Sequence, residues 1–264
     1  MHFLPKKVKF GRINIKINTM SEFNEFDQQG SVPSKETGSI ISHAFEMYKG
    51  VFLYAIISMI IYLIGDFVLQ SITGFNSWQG FSNFRDFDGD YSQYEYWRKP
   101  GFSLYYSFSS ILGILLSPIY VGLIYIANKF NTKIHIEFSD IFIGYRQNLG
   151  NILLYSLFTT IIFGIAAAMC GLPFFFVFPL FLLGYPILLF ENANAMDAIG
   201  KTYNIAKENY GTFLGVGLLG GLISISGIIL CCIGIIVTAP FIMIVMYSTY
   251  CAYLGKPRQI MFNK

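Results

Sequence analysis

The sequence predicts an all-α integral membrane protein with six transmembrane helices arranged as three hairpins. Of its 264 residues, 54% are hydrophobic and only 12% are charged, whereas a soluble domain carries about 25% charged residues. The mean hydropathy of +0.54 indicates the same class. In addition, Pro118, Pro179 and Pro240 lie 61 residues apart, each inside a long apolar run. This regular spacing predicts an internal repeat, one membrane unit used three times.

A proline in the middle of a membrane span is compatible with a helix there. Proline has no N–H group and frees a carbonyl one turn earlier, but neighbouring helices and side chains can bind that carbonyl. Each predicted unit contains a short amphipathic helix, a straight span and a span with the proline. Apart from the prolines and this order, little residue identity links the three units.

Six apolar segments are long enough to cross a bilayer, which requires about 20 residues. They are predicted at Val51–Ile72, Ser103–Ala127, Asn151–Cys170, Leu172–Phe190, Thr212–Leu230 and Ile233–Leu254. Almost no residues separate the third span from the fourth, or the fifth from the sixth. Each of these pairs is therefore predicted to form a tight hairpin.

A short amphipathic helix is predicted before each hairpin. The three stretches are Ser39–Gly50, Phe138–Gly150 and Asn192–Gly211, in which apolar residues recur at helical spacing. This period places them on one face of a helix that lies at the membrane interface. Asn194 is a candidate N-cap of the third helix, with Asp197 in its first turn.

The distribution of positive charge predicts the orientation. Fifteen of the 18 Lys and Arg residues lie on one side of the predicted bundle, and Arg85, Arg98 and Lys99 lie on the other. Because Lys and Arg concentrate in cytoplasmic segments, both termini are predicted to be cytoplasmic. The predicted location is the inner (cytoplasmic) membrane of the cell, crossed several times.

The chain divides into three predicted parts. Residues 1–38 form a disordered cytoplasmic N-terminus, residues 39–254 the six-helix membrane domain, and residues 255–264 a cytoplasmic tail. Residues 73–102 form a long outer loop, rich in aromatic and acidic side chains, whose role is open. The first 19 residues are basic. Either translation begins at Met20, which is the favoured interpretation, or these residues form an arm near anionic lipid.

Asp66 is a candidate functional residue because an ionisable group inside a membrane span is costly. It lies near the outer end of the first predicted span, beside Gly65. The favoured interpretation is structural, since its side chain can reach the interface or end the helix there. A role in transport or in proton handling is the alternative.

Prolines inside the spans are further candidates: Pro118, Pro179, Pro186 and Pro240. Together with Pro173, two of them predict that the fourth span is broken or strongly kinked. Interrupted spans mark substrate sites in many transporters. Such sites also supply polar groups at mid-depth, and the fourth span offers chiefly Phe, Leu, Gly184 and Tyr185.

Gly217 and Gly221 are candidates in the fifth span, where they lie one turn apart in a glycine-rich stretch. Small residues allow two helices to approach closely in lipid. Packing inside the bundle is the favoured interpretation, and a face for a second copy of the chain is the alternative.

Catalytic chemistry has little support in the sequence. The histidines are His2, His43 and His135, all outside the predicted spans, whereas a membrane oxygenase needs several at bundle depth to hold iron. The sequence contains no nucleophile elbow, phosphate loop or HExxH motif. No catalytic residue, metal ligand, cofactor or nucleic-acid partner is predicted. The predicted partners are the lipid bilayer and either another membrane protein or a second copy.

Two motifs resemble a known group of proteins. The residues are Phe138, Asp140, Phe142, Gly144 and Tyr145 of F-x-D-x-F-x-G-Y/F, and Ala198, Thr202, Lys207 and Asn209 of A-x-x-x-S/T-x-x-x-x-K/R-x-N. The segment from Phe138 to Tyr253 is similar to a loose group of uncharacterised bacterial multi-spanning proteins related to the membrane domain of glycerophosphoryl diester phosphodiesterase. The resemblance implies a bacterial membrane protein. It implies no enzyme activity, because the soluble phosphodiesterase domain is not part of this sequence.

Three functions remain, in a definite order. The leading one is a non-catalytic inner-membrane protein that acts as a scaffold, as an assembly factor or in membrane homeostasis. The alternative is a small transporter or permease that works through the proline-kinked spans, which polar residues at mid-depth on several helices would favour. A membrane enzyme acting on lipid or carotenoid comes third.

Overall fold

The computed structural model describes residues 30–76, 100–230 and 233–257, and all regular secondary structure in these ranges is helical. Six segments in them are long and apolar enough to cross a membrane: Thr37–Thr73, Phe102–Asn131, Leu149–Ala168, Leu172–Phe190, Tyr210–Ile229 and Gly234–Leu254. The predicted class, an all-helical multi-pass membrane protein, is confirmed. The expectations for the Met20 start, most of the outer loop and the tail lie outside the described residues.

The described residues form α-helices and three short 3₁₀ helices. The α-helices are α1 (Thr37–Thr73), α2 (Phe102–Asn131), α3 (Ile143–Arg146), α4 (Leu149–Ala168), α5 (Leu172–Val177), α6 (Gly184–Phe190), α7 (Ala195–Glu208), α8 (Tyr210–Ile225), α9 (Ile233–Thr238) and α10 (Phe241–Leu254). The 3₁₀ helices are Phe138–Phe142, Phe178–Phe181 and Ser226–Leu230. Asn194 accepts a hydrogen bond from the backbone N–H of Asp197 at 2.8 Å, which confirms it as the N-cap of α7.

Helix α1 is longer than the sequence analysis expected. The stretch 39–50, predicted as a separate amphipathic helix, continues without a break into the first span. The physical reason is that no proline interrupts this stretch. Gly50, the weakest helix former at the join, lies against the ring of Phe130. The helix ends at Gly74, which has a φ of 66°, in the left-handed region that favours glycine.

The three proline-bearing spans respond to their prolines in different ways. Helix α2 continues through Pro118. The fourth span is divided into α5, the 3₁₀ helix containing Pro179, and α6. In the sixth span, Pro240 separates α9 from α10. The predicted interruption of the fourth span is therefore confirmed.

Helix α10 is the central helix of the described bundle. In the most apolar window of its span, 61% of the residues are buried inside the chain, compared with 22% in α1. It packs against α1, α2 and α8. The outward surface of α1 carries apolar side chains, such as Ile64, Phe67 and Ile72. Such a surface suits the hydrocarbon of a bilayer.

Buried polar side chains join the chain segments at one end of the bundle. Asn131 at the end of α2 accepts a hydrogen bond from the N–H of Ser31 at 2.8 Å and donates to the Tyr247 hydroxyl at 2.9 Å. The Nδ1 atom of His43 lies 2.9 Å from Oγ of Ser248. Because buried polar groups need partners, this network fixes residues near position 31 onto α2 and α10.

Candidate functional site

A cavity of about 250 Å³ lies among the proline-bearing spans and α4. Each of the three spans contributes lining residues close to its proline. The lining residues are Gly113 and Tyr120 of α2, Tyr155, Ser156, Thr159, Thr160 and Phe163 of α4, Phe178, Phe181 and Tyr185 of the fourth span, and Met243 and Met246 of α10. The cavity therefore sits at the middle of the spans, where a bilayer would exclude water.

Several hydroxyl groups meet on one side of this cavity. The Tyr185 hydroxyl is within hydrogen-bonding reach of Ser117, Ser156 and Thr159. These three small residues are almost fully buried. They come from α2 and α4, while Tyr185 comes from α6, so three helices supply one polar cluster. This is the feature that the sequence analysis missed, since it found few polar groups at mid-depth.

The break in the fourth span is held by side chains from two other helices. Tyr155 of α4 donates a hydrogen bond to the carbonyl of Phe181 at 2.9 Å. From the other side, the Thr202 hydroxyl of α7 donates to the carbonyl of Leu180 at 3.2 Å and accepts from the N–H of Leu183 at 3.2 Å. These bonds satisfy backbone groups that an interrupted helix leaves without partners.

The cavity is open on the side of Gly113 and Thr160. Thr160 is exposed. A Cβ atom placed on Gly113 would find no neighbouring heavy atom within 4 Å. The mouth of the cavity therefore lies between α2 and α4, on a surface that faces the bilayer if the six spans cross it.

Three tyrosines donate hydrogen bonds to backbone carbonyls next to the three span prolines. Each carbonyl belongs to the residue three positions before its proline. The pairs are Tyr145 with Leu115 at 2.8 Å, Tyr210 with Phe176 at 3.0 Å, and Tyr48 with Val237. Burial raises the pKa of the Tyr145 hydroxyl, which keeps it protonated as a donor. The prolines leave such carbonyls without their usual helical partners, and the tyrosines supply new ones.

The tyrosine contacts link each proline to the amphipathic stretch that follows it in the chain. Tyr145 follows Pro118, and Tyr210 follows Pro179. No fourth stretch follows Pro240 in the described residues, and there the donor is Tyr48 of the first stretch. The first and last parts of the membrane domain therefore make the contact that completes the series.

The structure places the predicted site residues in two groups. Three of the prolines lie beside cavity-lining residues, and Pro186, which is buried in the first turn of α6, follows the lining residue Tyr185. Asp66 lies away from the cavity. It is nearly buried and accepts hydrogen bonds from the Tyr105 hydroxyl and the Gln70 amide, both at 2.6 Å.

The two candidate glycines of α8 have different surroundings. A Cβ atom on Gly217 would lie 2.8 Å from Cγ of Pro179, whereas one on Gly221 would meet no heavy atom within 4 Å. Gly217 is thus the point where α8 touches the broken fourth span. Gly221 makes no corresponding contact within the described chain.

Residues of the two family-like motifs lie at joins between elements. Asp140 forms an ion pair with Lys129 at 2.8 Å, which ties the first 3₁₀ helix to the end of α2. Gly144 lies directly against the backbone of Pro118, beside the Tyr145 contact. Thr202 holds the break in the fourth span. Each of these motif residues therefore has a structural contact that accounts for it.

The chemistry of the cavity is that of neutral hydrogen bonding and apolar contact. Its lining combines hydroxyl groups with aromatic rings and methionines. Among the described residues, no group of three or more His, Cys, Asp or Glu side chains is placed to hold a metal ion. No protein-family model, curated protein or solved structure matches this chain.

Proposed function

We propose that this chain is a multi-pass protein of the bacterial inner membrane with a non-catalytic role in membrane homeostasis. In this proposal it binds an amphiphilic molecule of the bilayer in the cavity between the proline-bearing spans. The observation that carries the proposal is the hydroxyl cluster around Tyr185 in an otherwise apolar cavity at the middle of the spans. Polar groups are expensive at that depth, and pockets with a few convergent polar groups in apolar walls are typical ligand sites.

The proposal includes a finer arrangement of the membrane domain. We propose three hairpins, each with its preceding amphipathic stretch, and both termini on the cytoplasmic side. The charge distribution supports the orientation. The shared relation of Tyr145, Tyr210 and Tyr48 to the three prolines supports a threefold internal repeat. Descent from the membrane domain of glycerophosphoryl diester phosphodiesterase is part of the same proposal and rests on the two motifs.

The tyrosine contacts give a direct test of this repeat. Tyr48→Phe, Tyr145→Phe and Tyr210→Phe each remove one hydrogen-bond donor and leave the ring in place. Each variant is expected to lose about 1 kcal/mol of stability, the usual net value of one such bond. The measurement is thermal unfolding in one detergent. The control is Tyr203→Phe on α7, because the Tyr203 side chain is 42% exposed. An unchanged melting temperature in all three variants would contradict equivalent roles for these tyrosines.

A small transporter or permease is the second candidate, and one observation favours it. The sequence analysis named polar residues at mid-depth on several helices as the sign of a transporter, and Ser117, Ser156 and Tyr185 fit that description. They lie beside the interrupted fourth span, as in transporter sites. Uptake by proteoliposomes of the molecule found in the cavity distinguishes transport from binding alone.

The binding proposal is tested by filling the mouth of the cavity. In Gly113→Leu the new side chain enters open space, so it is expected to block the cavity without displacing the fold. Native mass spectrometry of the full chain in a mild detergent is expected to show a co-purified bilayer molecule. The occupancy in the variant is expected to fall by about tenfold, which corresponds to about 1.4 kcal/mol of binding free energy.

The matched control is Gly164→Leu on α4. Its Cβ atom also meets open space, but Gly164 does not line the cavity. Occupancy in this variant is expected to equal that of the unmodified chain. Equal occupancy in all three proteins would refute the assignment of the cavity as the binding site.

A further inference from the structure

We infer that the cavity binds the uncharged, hydroxyl-bearing head of a single-chain or glycerol-based amphiphile, whose hydrocarbon chain lies outside the mouth in the bilayer. This inference rests on the proposed function and names the class of ligand for the same cavity. Three properties of the cavity carry it: its size, the charge of its lining and the direction of its hydrogen bonds.

The size of the cavity suits a head group better than a whole lipid. Its volume is about 250 Å³, which corresponds to about eight water molecules at the liquid value of about 30 Å³ each. A glycerol-sized group fits this space, and a pair of acyl chains does not. The opening beside Gly113 and Thr160 lets a chain attached to that group leave between α2 and α4.

The charge of the lining favours a neutral ligand. None of the described residues around the cavity carries a charged side chain at neutral pH. A phosphate, carboxylate or ammonium group placed here would lose its hydration and gain no opposite charge in return. Asp66, the buried carboxylate of α1, lies outside the lining and is engaged by Tyr105 and Gln70.

The direction of the hydrogen bonds specifies a donor on the ligand. Ser117 donates its hydroxyl proton to the carbonyl of Ile114 at 2.8 Å. Thr159 donates its proton to the carbonyl of Tyr155 at 2.9 Å. Both side chains can then offer only oxygen lone pairs to the cavity.

Tyr155 of α4 shows the same pattern, because its proton goes to the carbonyl of Phe181 at 2.9 Å. The single proton of Tyr185 can serve only one of the small hydroxyls within its reach. The cluster therefore has more acceptors than donors. A ligand that brings an O–H group completes it, whereas an ester or ketone, which only accepts, leaves lone pairs without partners.

The experiment compares three probes that share one oleoyl or oleyl chain. Monoolein is uncharged and donates through its hydroxyls, methyl oleate is uncharged and only accepts, and oleyl phosphate is anionic. Each is titrated against the full chain in a mild detergent, and binding is measured by native mass spectrometry. Monoolein is expected to bind about tenfold more tightly than the other two, the effect of one or two additional satisfied hydrogen bonds.

Two valine variants test which hydroxyl is responsible. Thr159→Val removes an acceptor from the cavity, and the preference for monoolein is expected to disappear. Thr249→Val is the matched control, since Thr249 is a buried threonine of α10 with the same bond to a carbonyl one turn earlier, at 2.7 Å, and does not line the cavity. It is expected to keep the preference.

The outcomes separate this inference from the proposed function. If all three probes bind equally and Gly113→Leu abolishes their binding, the ligand class is wrong and the cavity remains a binding site. If oleyl phosphate binds best, the inference is likewise overturned. If Gly113→Leu changes none of the titrations, both the inference and the proposed function fail.

Discussion

Gly122→Ala is expected to destabilise the protein strongly, whereas Gly113→Ala on the same helix is expected to be neutral or stabilising. A Cβ atom on Gly122 would overlap the backbone carbonyl of Ile141. A backbone atom cannot rotate away as a side chain can, so α2 and the first 3₁₀ helix would have to separate. The expected cost is about 3 kcal/mol, the upper part of the range for overpacking. The melting temperature in detergent is expected to fall by about 6 °C or more.

Gly113 provides the control because the same substitution there meets open space. Alanine favours a helix over glycine by up to about 1 kcal/mol, so the sign of the change is expected to reverse. A fall of similar size in both variants would mean that α2 responds to the loss of glycine itself. The close approach to Ile141 would then have no special weight.

Gly217→Leu is expected to lower stability by about 1–3 kcal/mol, and Gly221→Leu to leave it almost unchanged. The difference arises because Gly217 lies against the ring of Pro179, while Gly221 has no neighbour within 4 Å. Ser107→Leu on the exposed side of α2 serves as a control in another span. Thermal unfolding of the three variants in one detergent gives the comparison.

The same series tests whether α8 meets a second copy of the chain. If Gly221→Leu shifts the size of the detergent-solubilised protein in gel filtration while its melting temperature stays the same, the open part of this face contacts another copy. If Gly217→Leu is as stable as the Ser107→Leu control, the packing of α8 on the fourth span is not what makes Gly217 necessary.

The sequence was sufficient to predict the class of the fold, because six long apolar runs have few alternatives in a chain with so little charge. It also predicted the interruption of the fourth span, since three prolines within 14 residues, 173, 179 and 186, cannot all be accommodated by one regular helix. The join of the first amphipathic stretch to the first span was placed wrongly. No local signal ends the helix there, and only a change in composition suggested a boundary.

The cavity could not be predicted, because its polar groups are dispersed. Ser117 and Tyr185 each stand among apolar neighbours on separate helices and do not form a motif. A weak signal existed on α4, where Tyr155, Ser156 and Thr159 follow one another at helical spacing and place polar groups on one side of the span. Their meeting with Tyr185 depends on how the broken fourth span packs against α4, which hydropathy does not determine.

The difference between Gly217 and Gly221 was also beyond the sequence. A spacing of four residues indicates that both glycines lie on one face of α8, as predicted. It does not indicate how far a neighbouring element extends along that face. The fourth span bends at Pro179, so it contacts α8 near Gly217 and not one turn later.

The contact between Tyr48 and Val237 has a consequence for the biogenesis of the protein. A ribosome makes Tyr48 early and Val237 late, with 189 positions between them, so Tyr48 enters the membrane long before its acceptor exists. The first and second prolines receive their tyrosines from segments synthesised soon after them, at separations of 30 and 34 positions. Insertion therefore leaves the first helix without one of its contacts until the last hairpin arrives. A chain interrupted before that point carries an unsealed edge in the bilayer, which membrane quality control can recognise.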